Sequence, residues 1–236
     1  MSVVSHQVFR HNSSYNQIFT RFDEPHGALW CILDPKPRAC FSLEVLADIR
    51  RFQCGVESLA EAGGDDGRQV RYVILASRTP GVFNFGGDLV LFARCIQEND
   101  PETLRKYGKA CIDVLHPQTT GYNLPITTVS LVQGDALGGG FEAALCSDIL
   151  IAERNTQMGF PEVMFNLFPG MGAYQLLDRR LGAMRAERML LNGKLYRAEE
   201  LYAEGVVDIL ADPGRGESAL YEYILRNSAR GNAREG

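Results

Sequence analysis

Two glutamates stand out in this 236-residue chain because each sits among apolar neighbours. Glu142 follows three consecutive glycines, Gly138 to Gly140, in LVQGDALGGGFEAAL, and Glu162 lies between prolines and large apolar residues in MGFPEVMFNLFPGMG. A carboxylate in apolar surroundings is poorly solvated, so its pKa can rise toward neutrality. Two such groups suit general acid–base chemistry, one taking a proton while the other delivers one. Each also has a plainer explanation: helix N-termini favour acids electrostatically, and Pro161-Glu162 can simply open a helical turn.

Three adjacent glycines cost backbone entropy on folding, so something must require bare backbone there. A phosphate loop would need GxxxxGK[ST], and no lysine follows; GDALGGGF also lacks the GxGxxG spacing of a dinucleotide fingerprint. Close packing of helix on sheet explains one or two of the glycines. A chemical reading goes further: glycine N–H groups entering a helix can face a developing negative charge, as in an oxyanion hole. PGVFNFGGD, residues 80 to 88, is a second glycine turn after an apolar run. One amide from each turn would clamp a single carbonyl oxygen. Nucleophilic catalysis suits the sequence less well. No GxSxG occurs, the histidines (His6, His11, His26 and His116) lie away from these segments, and Cys146, one turn after Glu142, reads as a core residue.

The elements that must position these residues follow from local pattern. VRYVILAS, ITTVSLVQG and DILIAE are apolar runs of the kind buried on both faces of a sheet. QIFTRFDEPHGALWCILDP gives two strand-like segments around a PHG turn, ended by KPR at 36 to 38. Ser42 is placed to cap a helix with Leu43, Leu46, Ile49 and Phe52 at helical spacing, and Asp88 to cap LVLFARCIQ. Pro101 opens a helix reaching residues 116 to 118, with Leu104, Tyr107, Cys111 and Val114 in amphipathic rhythm. EAGGDDGRQ at 61 to 69 reads as a mobile loop. A short helix is expected from about Gly140. AYQLLDRRLG, MRAERMLLNG and RAEELYAEG read as helices stopped by glycine, before a short strand VVDIL. Strands alternating with helices predict a layered α/β domain with crossover connections and a helical C-terminal part.

Composition narrows the function classes. An apolar content of 45% with 22% charged residues is ordinary for a globular domain. A net charge of −5 argues against broad nucleic-acid binding, which needs a basic face. The six cysteines form no CxxC pair and no zinc spacing appears, so free thiols, mostly buried, are expected. The N-terminus lacks a signal-peptide pattern and no run is long enough to span a bilayer, which reads as a cytoplasmic protein.

VQGDALGGGFEAALCSDILIAE, MGFPEVMFNLFPGMGAYQLLDRRLG and RAEELYAEGVVD, in that order, resemble the crotonase (enoyl-CoA hydratase/isomerase) superfamily over roughly residues 70 to 210. The resemblance implies a ClpP/crotonase-like fold of layered sheets. It matches Glu142 and Glu162 to the two catalytic glutamates of hydratase-type members. Gly139 matches one oxyanion amide donor and Phe85 the other, with Gly86 its neighbour. Asp148 falls on a structural acidic position. Phe83, Leu137, Met158, Phe165, Leu167 and Met171 are the implied lining of an acyl pocket. An acyl thioester of coenzyme A or acyl carrier protein is the implied substrate, with no metal or redox cofactor. A homotrimer or dimer of trimers is the implied assembly.

RACFSLEVLADIR and VFNFGGDLVLFARCI, together with the glycine segment, are similar to the diffusible signal factor synthases, a bacterial branch that makes cis-2-unsaturated fatty acid signals. The implied activity is a dehydratase with thioesterase function on 3-hydroxyacyl chains held by acyl carrier protein. Two alternatives stand beside it: an ordinary enoyl-CoA hydratase or isomerase, and a noncatalytic crotonase-like binding or scaffold protein. Family members continue past the position of Asp208 with several helices that cover the acyl site and pack between subunits. A catalytic core over 1–210 is therefore expected, with 211–236 a short helical tail, truncated relative to the family.

Overall fold

A computed structural model of the chain describes residues 15–61 and 69–232. The segment expected as a mobile loop lies, but for its ends, outside them, as do His6 and His11. In chain order, β1 (Ile18–Asp23) and β2 (Ala28–Leu33) lead through α1 (Leu43–Glu61) to β3 (Tyr72–Ser77) and β4 (Val82–Asn84). Helices α2 (Leu89–Gln97) and α3 (Pro101–Thr119) follow, then β5 (Thr127–Val132), β6 (Asp135–Leu137), α4 (Gly139–Leu145), β7 (Ile149–Glu153) and β8 (Gln157–Gly159). A 3-10 turn, Pro161–Phe165, precedes α5 (Ala173–Leu181) and α6 (Ala183–Leu191). The chain continues with β9 (Leu195–Arg197), α7 (Ala198–Ala203), β10 (Ile209–Ala211) and α8 (Gly216–Asn232).

The strands form two sheets, giving the layered α/β architecture that the resemblance implies. The larger runs β1-β2-β3-β5-β7-β10, with an antiparallel β1–β2 hairpin and parallel pairing from β2 onward. Its middle strands are buried on both faces, as their unbroken apolar runs require. In β3, Val73 and Leu75 enter a core shared with α1, α3 and α4, while Tyr72 and Ile74 face a second core under α8. There Leu220 and Ile224 of α8 pack with Trp30, Val129 and Ile151. Among the described residues no helix is long and apolar enough to cross a membrane.

Most sequence expectations about caps hold. The Ser42 hydroxyl accepts the Val45 N–H, and the Asp88 carboxylate accepts those of Val90 and Leu91. Pro101 stands at the start of α3 behind an Asp100 cap. Asp148 accepts both the Thr128 N–H and the Thr128 hydroxyl, a tie between neighbouring strands. One boundary shifts: the strand expected over VVDIL starts only at Ile209. Val206 and Val207 instead donate their N–H groups to the Leu201 carbonyl, closing the end of α7 beyond Gly205.

The smaller sheet runs β4-β6-β8-β9 and consists of three-residue strands. β4, β6 and β8 are mutually parallel, so their carboxyl ends share one side of the molecule. Phe85–Asp88 follows β4, the glycine run follows β6, and Glu162 follows β8. Three sequence-distant segments thus leave one sheet edge together, the place where parallel α/β sheets present ligand sites.

Candidate active site

The glycine turns meet because neither carries side chains that would hold them apart. A Cβ on Gly86 would stand 2.6 Å from the Gly139 nitrogen, and one on Gly139 would stand 3.6 Å from the Gly87 nitrogen. One on Gly140 would collide with the Asn84 carbonyl oxygen. Gly86 and Gly138 also adopt φ of +84° and +54°, where a Cβ is strained. The Gly138 N–H donates to the Gly159 carbonyl at 2.9 Å, fixing the turn to the end of β8.

Glu142 lies in the first turn of α4 and is 1% exposed. Its Oε1 accepts the Met171 N–H at 2.8 Å and the Ala173 N–H at 2.9 Å, which orients the carboxyl group. Burial pushes its pKa up to about 7; the two amide bonds oppose this and the nearby Glu162 carboxylate adds to it. Glu162 sits in the 3-10 turn, half-buried, its Oε1 packed on the bare face of Gly138. Its pKa is also raised, through burial, and its buried Oε2 has no partner among the described residues. Two carboxyl groups of raised pKa, with free oxygens at one sheet edge, can exchange protons with a ligand.

The expected oxyanion donors require a correction. Phe85 donates its N–H to the Ala39 carbonyl at 2.7 Å, and Gly86 donates its own to Asn84 Oδ1 at 2.7 Å. Neither amide is available to a ligand. The Gly87 and Gly139 amides have no hydrogen-bond partner among the described residues, and they lie side by side. The second glycine of FGGD was visible in the sequence. Which of its amides stays free is decided by one local bond, to Asn84, and by bonds to Ala39 and Tyr107 from distant segments that the sequence does not display.

The implied pocket residues divide. Phe83 and Met158 are sealed in the core, so they support the turns from behind and do not open onto a cleft. Leu137 and Met171 are half-buried beside the site, with the Met171 sulfur against Gly139. Phe165 and Leu167 are exposed on the segment after Glu162, together with Met164 and Phe168. The positioning roles of Asn84, whose side chain holds the Gly86 N–H, and of the Met171 and Ala173 amides were not read from the sequence. Buried Asn in an apolar run was the available signal for the first; the amides carry no sequence signal.

Among the described residues no group of three or more His, Cys, Asp or Glu side chains could hold a metal ion.

Comparison with known proteins bears on the family and the fold. Residues 34–213 match the family model described as enoyl-CoA hydratase/isomerase. The fatty acid oxidation complex subunit alpha of Vibrio cholerae is 32% identical over 189 residues, which is 79% of this chain and 25% of that protein. The mitochondrial methylglutaconyl-CoA hydratase of Homo sapiens is 29% identical over 158 residues, 67% of this chain and 44% of that one. The chain thus spans about a quarter to a half of the length of these curated relatives. Among solved structures, DspI of Pseudomonas aeruginosa superposes with a TM-score of 0.77 at 23% identity, over 92% of this chain and 77% of that one. The enoyl-CoA hydratase of Bacillus anthracis gives 0.76 at 24% identity, over 89% and 76%. These two likenesses bear on the fold. The family match covers β3 to β10, both glycine turns and both glutamates, and on that ground the chain belongs to the enoyl-CoA hydratase/isomerase, or crotonase, family.

Proposed function

We propose that this chain adds water to 2-enoyl thioesters and, in reverse, removes it from 3-hydroxyacyl thioesters. The observation that carries this reading is the pairing of two free amides, Gly87 and Gly139, with two carboxyl groups of raised pKa, Glu142 and Glu162. The thioester oxygen accepts both N–H groups. As the α-proton leaves, negative charge grows on that oxygen, and each preset donor is worth ~3 kcal/mol in comparable sites. In the dehydration direction one glutamate takes the α-proton and the other protonates the departing 3-hydroxyl, releasing water. In the hydration direction the pair holds a water, which adds at C3 while a proton returns to Cα. A positioned acid or base contributes roughly 10²- to 10⁴-fold.

The finer reading is a dehydratase with thioesterase activity on carrier-protein substrates, yielding a cis-2-unsaturated acid. It is supported by the segments RACFSLEVLADIR and VFNFGGDLVLFARCI. The names of the curated relatives, which include a CoA hydratase and a fatty acid oxidation subunit, favour the simpler hydratase reading.

The test is incubation with matched 2-enoyl-CoA, 3-hydroxyacyl-CoA and 3-hydroxyacyl-carrier-protein thioesters, followed by mass spectrometry of thioesters and free acids. Interconversion of the two CoA thioesters is expected. Release of a cis-2-enoic acid from the carrier-bound substrate alone would replace it with the finer reading. No turnover of any of the three would favour a noncatalytic binding protein.

A further inference from the structure

We propose that Tyr107 is a positioning residue that sets the Gly87 amide for the substrate carbonyl, an inference that rests on the function proposed above. Tyr107 is fully buried in α3, twenty residues from the glycine turn. Its hydroxyl donates to the Phe41 carbonyl at 2.7 Å and accepts the Asp88 N–H at 3.0 Å. The phenol is therefore a bridge between the segment before α1 and the segment before α2.

That bridge completes a pattern. Residues 39–41 run beside residues 85–88 and take up their backbone groups in turn. The Phe85 N–H donates to the Ala39 carbonyl at 2.7 Å, and the Phe41 N–H donates to the Gly86 carbonyl at 2.8 Å. The Gly86 N–H donates to Asn84 Oδ1 at 2.7 Å. Of the four N–H groups from Phe85 to Asp88, three are engaged and Gly87 alone has no partner among the described residues. Only the Asp88 N–H depends on a side chain from another helix.

Peptide planarity makes that tie matter. The Asp88 N–H belongs to the same rigid plane as the Gly87 carbonyl, so holding it fixes the Gly87 backbone on its C-terminal side. Glycine itself imposes little restraint on φ and ψ, and an unheld glycine turn would sample several directions for its N–H. The phenol oxygen also lies 3.7 Å from where a Cβ of Gly87 would stand. The Phe92 ring meets Tyr107 edge-on at 5.3 Å between centroids and packs under the same glycine. Burial drives the Tyr107 hydroxyl far above its ordinary pKa, so it stays protonated and keeps donating to Phe41.

The test is Tyr107→Phe, which removes one oxygen and keeps the ring. Val114→Ala, a buried site two turns along the same helix, serves as the matched control for loss of packing. Kinetics are measured on 2-enoyl-CoA per folded enzyme, with the infrared carbonyl stretch of a bound, non-reacting thioester analogue as a second readout. For Tyr107→Phe, kcat is expected to fall about 10- to 100-fold with KM changed less than about 3-fold. The parent's shift of the carbonyl stretch to lower frequency is expected to shrink in that variant and to persist in Val114→Ala. An unchanged kcat and carbonyl stretch in Tyr107→Phe, or an equal loss in Val114→Ala, would overturn the role of Tyr107 and leave the proposed function standing. A parent that neither turns over the thioester nor polarises its carbonyl would sink the underlying function, and this inference with it.

Discussion

Replacing Glu142 by Gln is expected to stabilise the protein by an amount that grows with pH. Glu142 is 1% exposed, and burial moves its pKa from the ordinary 4.5 to about 7 in the folded chain. The folded state thus holds the proton more tightly than the unfolded state does. Below pH 4.5 both states are protonated and the carboxyl group costs nothing extra. As pH rises toward 7, the unfolded chain ionises while the folded chain resists, and stability falls. Above that range the full penalty is present, about 3 kcal/mol for the shift. Gln keeps an oxygen to accept the Met171 and Ala173 N–H groups but carries no charge, so it escapes the penalty. Urea unfolding of parent and Glu142→Gln across pH 4.5 to 8.5 measures the difference directly. The gain is expected to be near zero at the acid end and to level off at about 3 kcal/mol above neutrality. A gain that does not vary with pH, or a variant less stable than the parent at pH 8, would refute the argument.

Other consequences can be checked with single substitutions. Glu162→Gln is expected to lower kcat for enoyl thioester hydration by roughly 10²- to 10⁴-fold, while circular dichroism stays that of the parent. Gly138→Ala places a Cβ at a φ of +54° against the Glu162 carboxyl group, and is expected to cost ~1–3 kcal/mol of stability together with most of the activity; unfolding and turnover assays test both. Arg180 ties the Ser147 and Val206 carbonyls and the exposed Asp208 carboxylate together, so Arg180→Ala is expected to destabilise by about 2 kcal/mol, mostly from the two carbonyls left without a donor, seen as a lower Tm. Asp148→Ala strips the Thr128 N–H and hydroxyl of their acceptor and is expected to cost about 2 kcal/mol in urea unfolding, with little change in KM.

The middle of the large sheet is legible in the sequence because β3, β5 and β7 are six-residue or five-residue apolar runs buried on both faces. The caps at Ser42, Asp88 and the start of α3 were legible because their chemistry is local. Glu142 and Glu162 were legible as charges out of place among apolar residues. The small sheet was not, because strands of three residues such as Asp135–Leu137 show no period and exist only through their neighbours. The resemblance points to Phe85 where the structure leaves the Gly87 amide free, for a related reason. Whether an N–H is free depends on what lies opposite it, here Ala39 and Asn84, and the Ala39 partner comes from a segment more than forty residues earlier. Tyr107 showed only its helical spacing; its two hydrogen bonds join elements that no local pattern links.

The central claim is that Glu142 and Glu162 act as one acid–base unit on a thioester held by the Gly87 and Gly139 amides. A double-substitution cycle on 2-enoyl-CoA hydration tests it most directly, comparing kcat/KM for the parent, Glu142→Gln, Glu162→Gln and the pair. Groups that work on the same water lose most of their effect together, so the double variant is expected to be little slower than the slower single one. Losses that multiply, with each single variant keeping substantial turnover, would contradict the account.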